Sequence, residues 1–200
     1  MPTKLHLYQQ TSAIIVGAIL LIASAAASGA DLAPSELGPP DVIMSVGFDS
    51  ISASIRQSGE LNNANLEQQG NGHQGFVGQN GSGNIATLAQ YGVQEDGIIA
   101  QRGQWNQINA SQSGAYNLLR GAQDGQSNQA TLAQTDSHNE IFLTQTGQGN
   151  QAYLAQNGGN SINLTQTGNY NSADIRQAAG SPPVTLTQSG TGLVAKVIQY

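Results

Sequence analysis

The chain has 200 residues, only 9% of them charged, and a formal net charge of −6. Charged residues make up roughly a quarter of a typical globular domain, and here Gln, Asn, Gly, Ser and Ala dominate instead. The acidic balance and the lack of any Lys/Arg cluster argue against a nucleic-acid partner, because phosphate binding needs clustered cations. The sequence has no Cys, which excludes a disulfide framework and a thiolate metal site.

The N-terminal region has the pattern of a secretory signal. A short polar region precedes an apolar stretch at residues 13–23, which is too short to span a bilayer. Small residues at 28–30 fit a cleavage site after Ala30, and cleavage after Ala27 is the other option. We therefore predict a signal peptide over residues 1–30, with an uncleaved membrane anchor as the alternative. Residues 31–50 are then a flexible N-terminal segment of the mature chain.

A Gln residue recurs through the rest of the chain at a fixed spacing. Every step is eleven positions except for a single step of ten, and the register holds from Gln57 to Gln199, which composition alone does not produce. The fourteen residues are Gln57, Gln68, Gln79, Gln90, Gln101, Gln112, Gln123, Gln134, Gln145, Gln156, Gln166, Gln177, Gln188 and Gln199.

Other residue types keep the same phase as the Gln series. Gly is common two positions after Gln, small or aliphatic residues seven positions after, and aliphatic residues nine positions after. Asn is common five positions after Gln, and its most regular members are Asn62, Asn84, Asn106, Asn128, Asn150 and Asn171. The unit is therefore Asn-x-Ala-x-Leu-x-Gln followed by x-Gly-x-x.

This spacing predicts strands and tight turns. The kept positions differ by two, which is the strand period, so Asn, Ala, Leu and Gln share one face of a seven-residue strand. The four residues that contain Gly form a turn, in which Gly supplies positive φ at low cost. No helical period is present.

Two consecutive units must face each other to bury their apolar stripes. The sequence therefore predicts an all-β fold, a β-solenoid of 22-residue coils in which alternate strands stack into two parallel sheets with cross-β spacing. Residues 51–199 supply seven coils, and the domain spans residues 51–200. At ~4.8 Å per stacked strand the solenoid is roughly 33 Å long. We expect inward Gln and Asn amides to stack on identical residues above and below.

The repeat resembles that of the curlin family, the subunits of bacterial curli fibres. Gln-x-Gly-x-x-Asn-x-Ala-x-x-x-Gln stands at residues 79–90, 123–134 and 145–156, and the resemblance covers residues 51–199. It implies an extracellular amyloid fibre at the surface of a Gram-negative bacterium, with roles in adhesion and biofilm matrix. It also implies self-association, other curlin subunits, an outer-membrane secretion pore and accessory factors as partners. By the same resemblance, residues 31–50 occupy the place of a pore-targeting segment.

The resemblance leaves the subunit role open between a major fibre subunit and a nucleator. The start at residues 31–36 is similar to that of the nucleator, and the last coil departs from the repeat because Leu193 replaces Asn. The end at Tyr200 is more like the major subunit, and seven coils fit neither form. We favour the nucleator-like role slightly.

Several units carry residues that oppose regular stacking. We identify Glu95, Asp96, Asp136, Pro182 and Pro183 as candidate gatekeepers against premature aggregation, because Glu95 replaces Asn, Asp136 replaces Gly, and Pro lacks the ladder donor. Drift in a tolerant repeat is the alternative.

No feature predicts an enzyme, a cofactor or a small-molecule substrate. The G-x-G-x-x-A matches at residues 81–86 and 147–152 are turns that precede strands, whereas a dinucleotide site needs a strand and then a helix. His73 and His138 lack a metal-ligand pattern. The alternative function is a soluble secreted β-helical binding or adhesin module that does not polymerise.

Overall fold

The computed structural model describes residues 5–6, 18–24, 42–48 and 51–200, and in this part of the chain seventeen strands form. No helix among these residues is long and apolar enough to cross a membrane. The strands are β1 (Leu5–His6), β2 (Ala18–Ser24), β3 (Val42–Phe48), β4 (Ile51–Ser58), β5 (Asn63–Asn71), β6 (Gln74–Ser82), β7 (Ile85–Val93), β8 (Asp96–Gln104), β9 (Gln107–Ala115), β10 (Leu118–Gln126), β11 (Gln129–Ser137), β12 (Glu140–Gln148), β13 (Gln151–Asn157), β14 (Ser161–Asn169), β15 (Ser172–Gln177), β16 (Val184–Thr191) and β17 (Val194–Gln199).

Alternate strands stack into two sheets, as the 22-residue period predicts. Sheet A has the order β1-β2-β5-β7-β9-β11-β13-β15-β17, and sheet B has the order β16-β14-β12-β10-β8-β6-β4-β3. Neighbours from β4 onward are parallel, and Gln79 pairs with Gln101 as Gln90 pairs with Gln112. The predicted β-solenoid of seven coils is confirmed: each coil is one strand of sheet B followed by one strand of sheet A.

The single shortened step between Gln156 and Gln166 is absorbed in a turn. Strand β13 stops at Asn157, and the offset between paired strands then falls by one position, so that Glu140 pairs with Ser161. A slip of one position inside a strand would turn every inward side chain outward. Because the missing residue is taken from the turn, Gln145 still pairs with Gln166.

The core lies between the two sheets and consists of the inward side chains of each strand. In β4 buried residues alternate with more exposed ones along the whole strand, as expected for the two-residue period of a β-strand. In sheet A, Leu66 lies beside Leu88 and Leu132 lies beside Leu154, with Ala110 between the two pairs. All four Leu are at most 1% exposed. Each coil therefore buries a short aliphatic stripe, and stacking the coils makes that stripe continuous.

The strands are longer and the turns shorter than the sequence predicts. Most strands have nine residues, and only Gly83 and Asn84 lie between β6 and β7. The phased Gly lies within the strand: Gly103 has φ +105°, and a Cβ there would stand 2.0 Å from the carbonyl oxygen of Gly125 in the next coil. Gly is therefore required by the close approach of stacked backbones as well as by positive φ.

Two strands in the N-terminal region pair antiparallel with the first coil. Strand β2 lies on β5, with Leu21 opposite Leu66, and β3 lies on β4, with Phe48 opposite Ile51. Strand β2 falls in the predicted signal peptide and β3 in the predicted export segment, whose roles stay predictions. The predicted cleavage positions after Ala27 and Ala30 lie outside the described residues.

Candidate functional site

The fourteen predicted Gln residues form two continuous columns along the solenoid axis. In each column, Nε2 of one Gln donates to Oε1 of the Gln in the next coil toward the C-terminus, at 2.6–3.2 Å. Gln57 begins the column of sheet B, which ends at Gln188, and Gln68 begins the column of sheet A, which ends at Gln199. All are buried except Gln199, which is half-buried.

The second amide hydrogen of most of these Gln side chains joins the two sheets. Gln79 Nε2 donates to the carbonyl oxygen of Asn63 at 3.0 Å, and Gln90 Nε2 donates to that of Gln74 at 3.1 Å. Both acceptors lie at the start of a strand in the opposite sheet. Because an unpaired buried amide is costly, this double use makes a polar core compatible with a dry interior.

The six predicted Asn residues form a ladder at the turns that lead from sheet B to sheet A. Asn84 donates from both its backbone N and its Nδ2 to Asn62 Oδ1, each at 3.1 Å, and its Nδ2 also donates to the carbonyl oxygen of Gly103. The pattern repeats to Asn171, whose Oδ1 accepts from Leu193 N at 3.0 Å. From one Asn side chain to another, the amides donate toward the N-terminus, opposite to the Gln amides, while the bond from Nδ2 to the Gly carbonyl oxygen points toward the C-terminus.

A second polar ladder occupies the opposite turns and is not among the ladders predicted from the sequence. All its members are buried. Four of the six follow a phased Gln by five positions and the last two follow one by four, so the same phase was its available signal. The ladder runs through His73, Glu95, Asn117, Asn139, Asn160 and Ser181. Asn160 lies in the shortened turn and makes a long hydrogen bond to the ladder, with its N 3.4 Å from Asn139 Oδ1. Among the described residues, Asn160 Oδ1 and Ser181 Oγ find no partner.

Glu95 places a carboxyl inside this second ladder. Its Oε1 and Oε2 accept from Nδ2 and N of Asn117, both at 3.2 Å, and its own N donates to His73 Nδ1 at 3.3 Å. Burial raises the pKa of Glu95 to about 7, although the two bonds from Asn117 lower it. Burial also lowers the pKa of His73. Both groups are therefore held toward their neutral forms.

The other candidate gatekeepers lie at the surface or in turns. Asp96 points outward, with its carboxylate 3.7 Å from Arg120 on the next strand. Asp136 is exposed and has φ +64° at a position that is Gly in most units. Pro182 and Pro183 precede β16, so they shorten that strand at its start and leave its middle intact. Whether any of them delays assembly stays a prediction.

The two ends of the solenoid are chemically complementary. At the N-terminal end, Gln57 Oε1 and Gln68 Oε1 are buried and accept no hydrogen bond within the described part of the chain. At the C-terminal end, Gln188 Nε2 donates to the carbonyl oxygen of Leu193 where an inner Gln reaches the next coil. Val184, Leu186 and Val197 of the last coil are only partly buried. One end therefore has unused acceptors, and the other has donors beside an open core.

Two parallel sheets, closed by short turns and joined by axial columns of amides, define a polar-ladder β-solenoid. The model of the curlin-associated repeat matches residues 62–92, which run from Asn62 through most of β7. No curated protein matches the chain. Residues 62–92 are therefore similar to the curlin-associated repeat, and the same unit continues in register on both sides of the match. The repeat and the fold fit a curli-type structural subunit and indicate a structural protein rather than an enzyme.

Proposed function

We propose that the chain is a subunit of an extracellular curli-type amyloid fibre, in which solenoids stack head to tail. The observation that carries this proposal is the complementarity of the two ends. The N-terminal end has buried Gln acceptors that find no donor among the described residues, and the C-terminal end has a Gln side chain at the end of each column. A second copy of the chain would bring donors to the acceptors of the N-terminal end and would cover the partly buried last coil of the C-terminal end.

The register of the junction follows from the continuation of the coils. Strand β16 of one copy would pair with β4 of the next, and β17 would pair with β5, each in parallel. Gln188 Nε2 would then donate to Gln57 Oε1 of the next copy, as Gln57 Nε2 donates to Gln79 Oε1 within the chain. Each junction would satisfy two buried acceptors and cover the partly buried last coil, both of which favour association.

The open edge of β17 can be blocked without loss of an internal hydrogen bond. Ser172 N donates to Leu193 O and Ala178 N donates to Gln199 O. In a parallel ladder the N–H and C=O of alternate residues point to the same side, so residues 193, 195, 197 and 199 face β15. The backbone groups of Val194, Lys196 and Ile198 face the open edge.

We therefore expect K196P to slow fibre growth while leaving the monomer folded. Proline removes an N–H at the open edge, where Pro is tolerated in sheets. The loss of a junction hydrogen bond should slow elongation on the order of tenfold or more. The matched control is K196A, which removes the charge and keeps the N–H, and which should elongate like the unmodified chain. Thioflavin T kinetics and far-UV circular dichroism of the monomer measure both effects.

Fibres of K196P growing at the unmodified rate would contradict the proposed junction. Unmodified protein that never binds thioflavin T, or that lacks a meridional reflection near ~4.8 Å, would contradict the fibre itself. In that case the alternative function, a soluble binding module, would be favoured, because a solenoid that does not stack can bind other molecules only through its outer faces.

The role within the fibre is tested by seeding. Added in small amounts to a major curlin monomer, a nucleator shortens the lag without forming long fibres of its own, whereas a major subunit forms fibres alone. We propose the nucleator-like role, on the departure of the last coil at Leu193. Export by a signal peptide and an outer-membrane pore, and roles in adhesion and biofilm matrix, belong to the same proposal and are supported by the curlin repeat.

A further inference from the structure

Strand β3 occupies the edge that a second copy needs. Within β4, Ser52 N donates to the carbonyl oxygen of His73 on the side of β6. Because backbone groups alternate in direction along a strand, the N–H and C=O of Ala53 and Ile55 point to the other side, where β3 lies. Val46 is opposite Ala53 and Met44 is opposite Ile55. The groups of Ala53 and Ile55 are those that β16 of another copy would bind.

The burial of the two ends differs in the way that a cap on one end produces. In the first coil, Ala53 and Ile55 of β4 are 0% exposed, as deep as residues in the middle of the solenoid. In the last coil, Leu186 and Val197 are only partly buried. The N-terminal end of the chain is therefore covered and the C-terminal end is open.

We propose that β3 is an autoinhibitory cap, an exchangeable edge strand that must leave β4 before the C-terminal end of another copy can dock there. This inference rests on the proposed function, since it concerns the junction through which fibres grow. Strand β3 and the incoming β16 use the same backbone groups of β4, so their binding is mutually exclusive. The rate of growth then depends on the fraction of molecules whose cap is open.

The cap is built to be replaced by a copy of the chain. Strand β3 pairs antiparallel and leaves Gln57 Oε1 without a donor among the described residues. An incoming β16 brings Gln188 Nε2 to that acceptor in addition to the backbone bonds. On sheet A, the edge strand β5 is covered by β2, which lies in the predicted signal peptide. Removal of that peptide opens β5, so docking begins at β5 and proceeds to β4 as β3 leaves.

The first test compares two Pro substitutions in neighbouring positions of β3. V46P removes an N–H that points to β4, and S45P removes one that points away, because Ser45 lies opposite Ser54, which faces β6. With the secreted chain, we expect V46P to raise the seeded elongation rate roughly five- to tenfold, the factor for one lost hydrogen bond. S45P should elongate like the unmodified chain.

The second test locks the cap reversibly. Ser45 and Ser54 form a pair without mutual backbone hydrogen bonds, the closer kind of antiparallel pair. The chain has no other Cys, so S45C combined with S54C can form only that bridge within a molecule. Oxidised protein should not form fibres, and in small amounts it should terminate growth at the N-terminal tip of unmodified fibres. Reduction should restore growth, and S45C alone, with its thiol alkylated, is the control.

Failure of the cap and failure of the fibre give different results. If the unmodified chain forms no fibres, the proposed function fails. If it forms fibres, and the oxidised double-Cys protein elongates as fast as the reduced protein, the cap is overturned. The same holds if V46P and S45P elongate alike. Hydrogen exchange in the monomer adds a readout independent of fibres: the amides of Ala53 and Ile55 should be protected in S45P and exchange faster in V46P.

Discussion

At the scale of single residues, Glu95 is the least expected feature of the core. An Asn at this position would extend an uncharged ladder, as Asn117 and Asn139 do in the next two coils. The carboxyl has two donors, both from Asn117, while the backbone N–H of Glu95 donates to His73 Nδ1. Those two donors do not offset the burial of the carboxyl, so the pKa of Glu95 rises from 4.5 to about 7.

We predict that this carboxyl makes the folded solenoid more stable in mild acid. As the pH rises from 4.5 toward 7, the unfolded chain ionises Glu95 while the folded chain keeps it protonated, so the free energy of unfolding falls. The loss is on the order of 3 kcal/mol across that window. E95Q should abolish it and be more stable at pH 7.5. Urea denaturation of the monomer at pH 5 and pH 7.5 measures the effect.

His73 gives an opposing contribution that must be separated from that of Glu95. Its pKa is lowered by burial, so its contribution to stability is present above its unfolded pKa and is lost as the pH falls from there through the folded pKa. In an H73N background the acid stabilisation by Glu95 should therefore be larger. Equal pH dependence of the H73N protein and the protein with both H73N and E95Q would contradict the assignment.

At the scale of the elements, the phased Gly residues determine how closely the strands stack. Ten of them have φ between 100° and 140°, and a Cβ at Gly103 would overlap the Gly125 carbonyl. Gly121 differs, because its φ is ordinary and a Cβ there would meet only the flexible ends of Ile108 and Leu132, at 3.3 and 3.4 Å. The two positions form a matched pair within one sheet.

We expect G103A to destabilise the monomer by about 2–3 kcal/mol, because it combines backbone strain with a clash against the next coil. G121A should be neutral or stabilising by up to about 1 kcal/mol, since Ala lowers the entropy of the unfolded chain and the flexible ends of Ile108 and Leu132 can shift by a few tenths of an ångström. Thermal denaturation of both variants is the measurement. If both lower the melting temperature equally, close backbone approach is not the reason for Gly.

The strands of the solenoid could be predicted from the sequence, but the capping strand could not. The regular spacing from Gln57 to Gln199 indicates which residues point inward along each strand. It also indicates which strands pair, because equivalent positions of successive coils align. Strand β3 lacks the repeat, so its sequence gives no pairing register. Its antiparallel pairing with β4 depends on which sheet edge is free in the folded molecule. The same limit applies to the ladder from His73 to Ser181, in which six positions carry four residue types.

At the scale of the whole molecule, the C-terminal end carries one defect in an otherwise complete junction. Within the chain, each Asn Oδ1 accepts from the N and Nδ2 of the Asn in the next coil, as Asn62 does from Asn84. Leu193 stands at the last such position and has no acceptor in its side chain. In the junction, Asn62 of an incoming copy would lie next to Leu193, and the backbone N–H of Asn62 would then have no side-chain acceptor. The ends therefore match in their Gln columns and fail to match in their Asn ladder.

L193N should complete that ladder and stabilise the junction by about 1 kcal/mol, which lowers the soluble concentration at the plateau roughly fivefold. L193A is the control, because it removes the apolar side chain without adding an acceptor. Sedimentation of mature fibres and assay of the supernatant measure the difference. Equal soluble concentrations for L193N and L193A would show that the Asn ladder does not continue across the junction.

The opposed directions of the ladders also limit the electrostatics of a long assembly. Each side-chain amide is a dipole of fixed size, and in the Gln columns all of them point the same way along the axis. The Asn ladders point the other way, while the backbone groups of each strand alternate. The dipoles of the Gln and Asn side chains therefore oppose each other in part within each coil. Stacked dipoles leave charge only at the two tips, and opposed ladders make that charge smaller than the Gln columns alone would give, so a short and a long fibre would present nearly the same field to an incoming molecule.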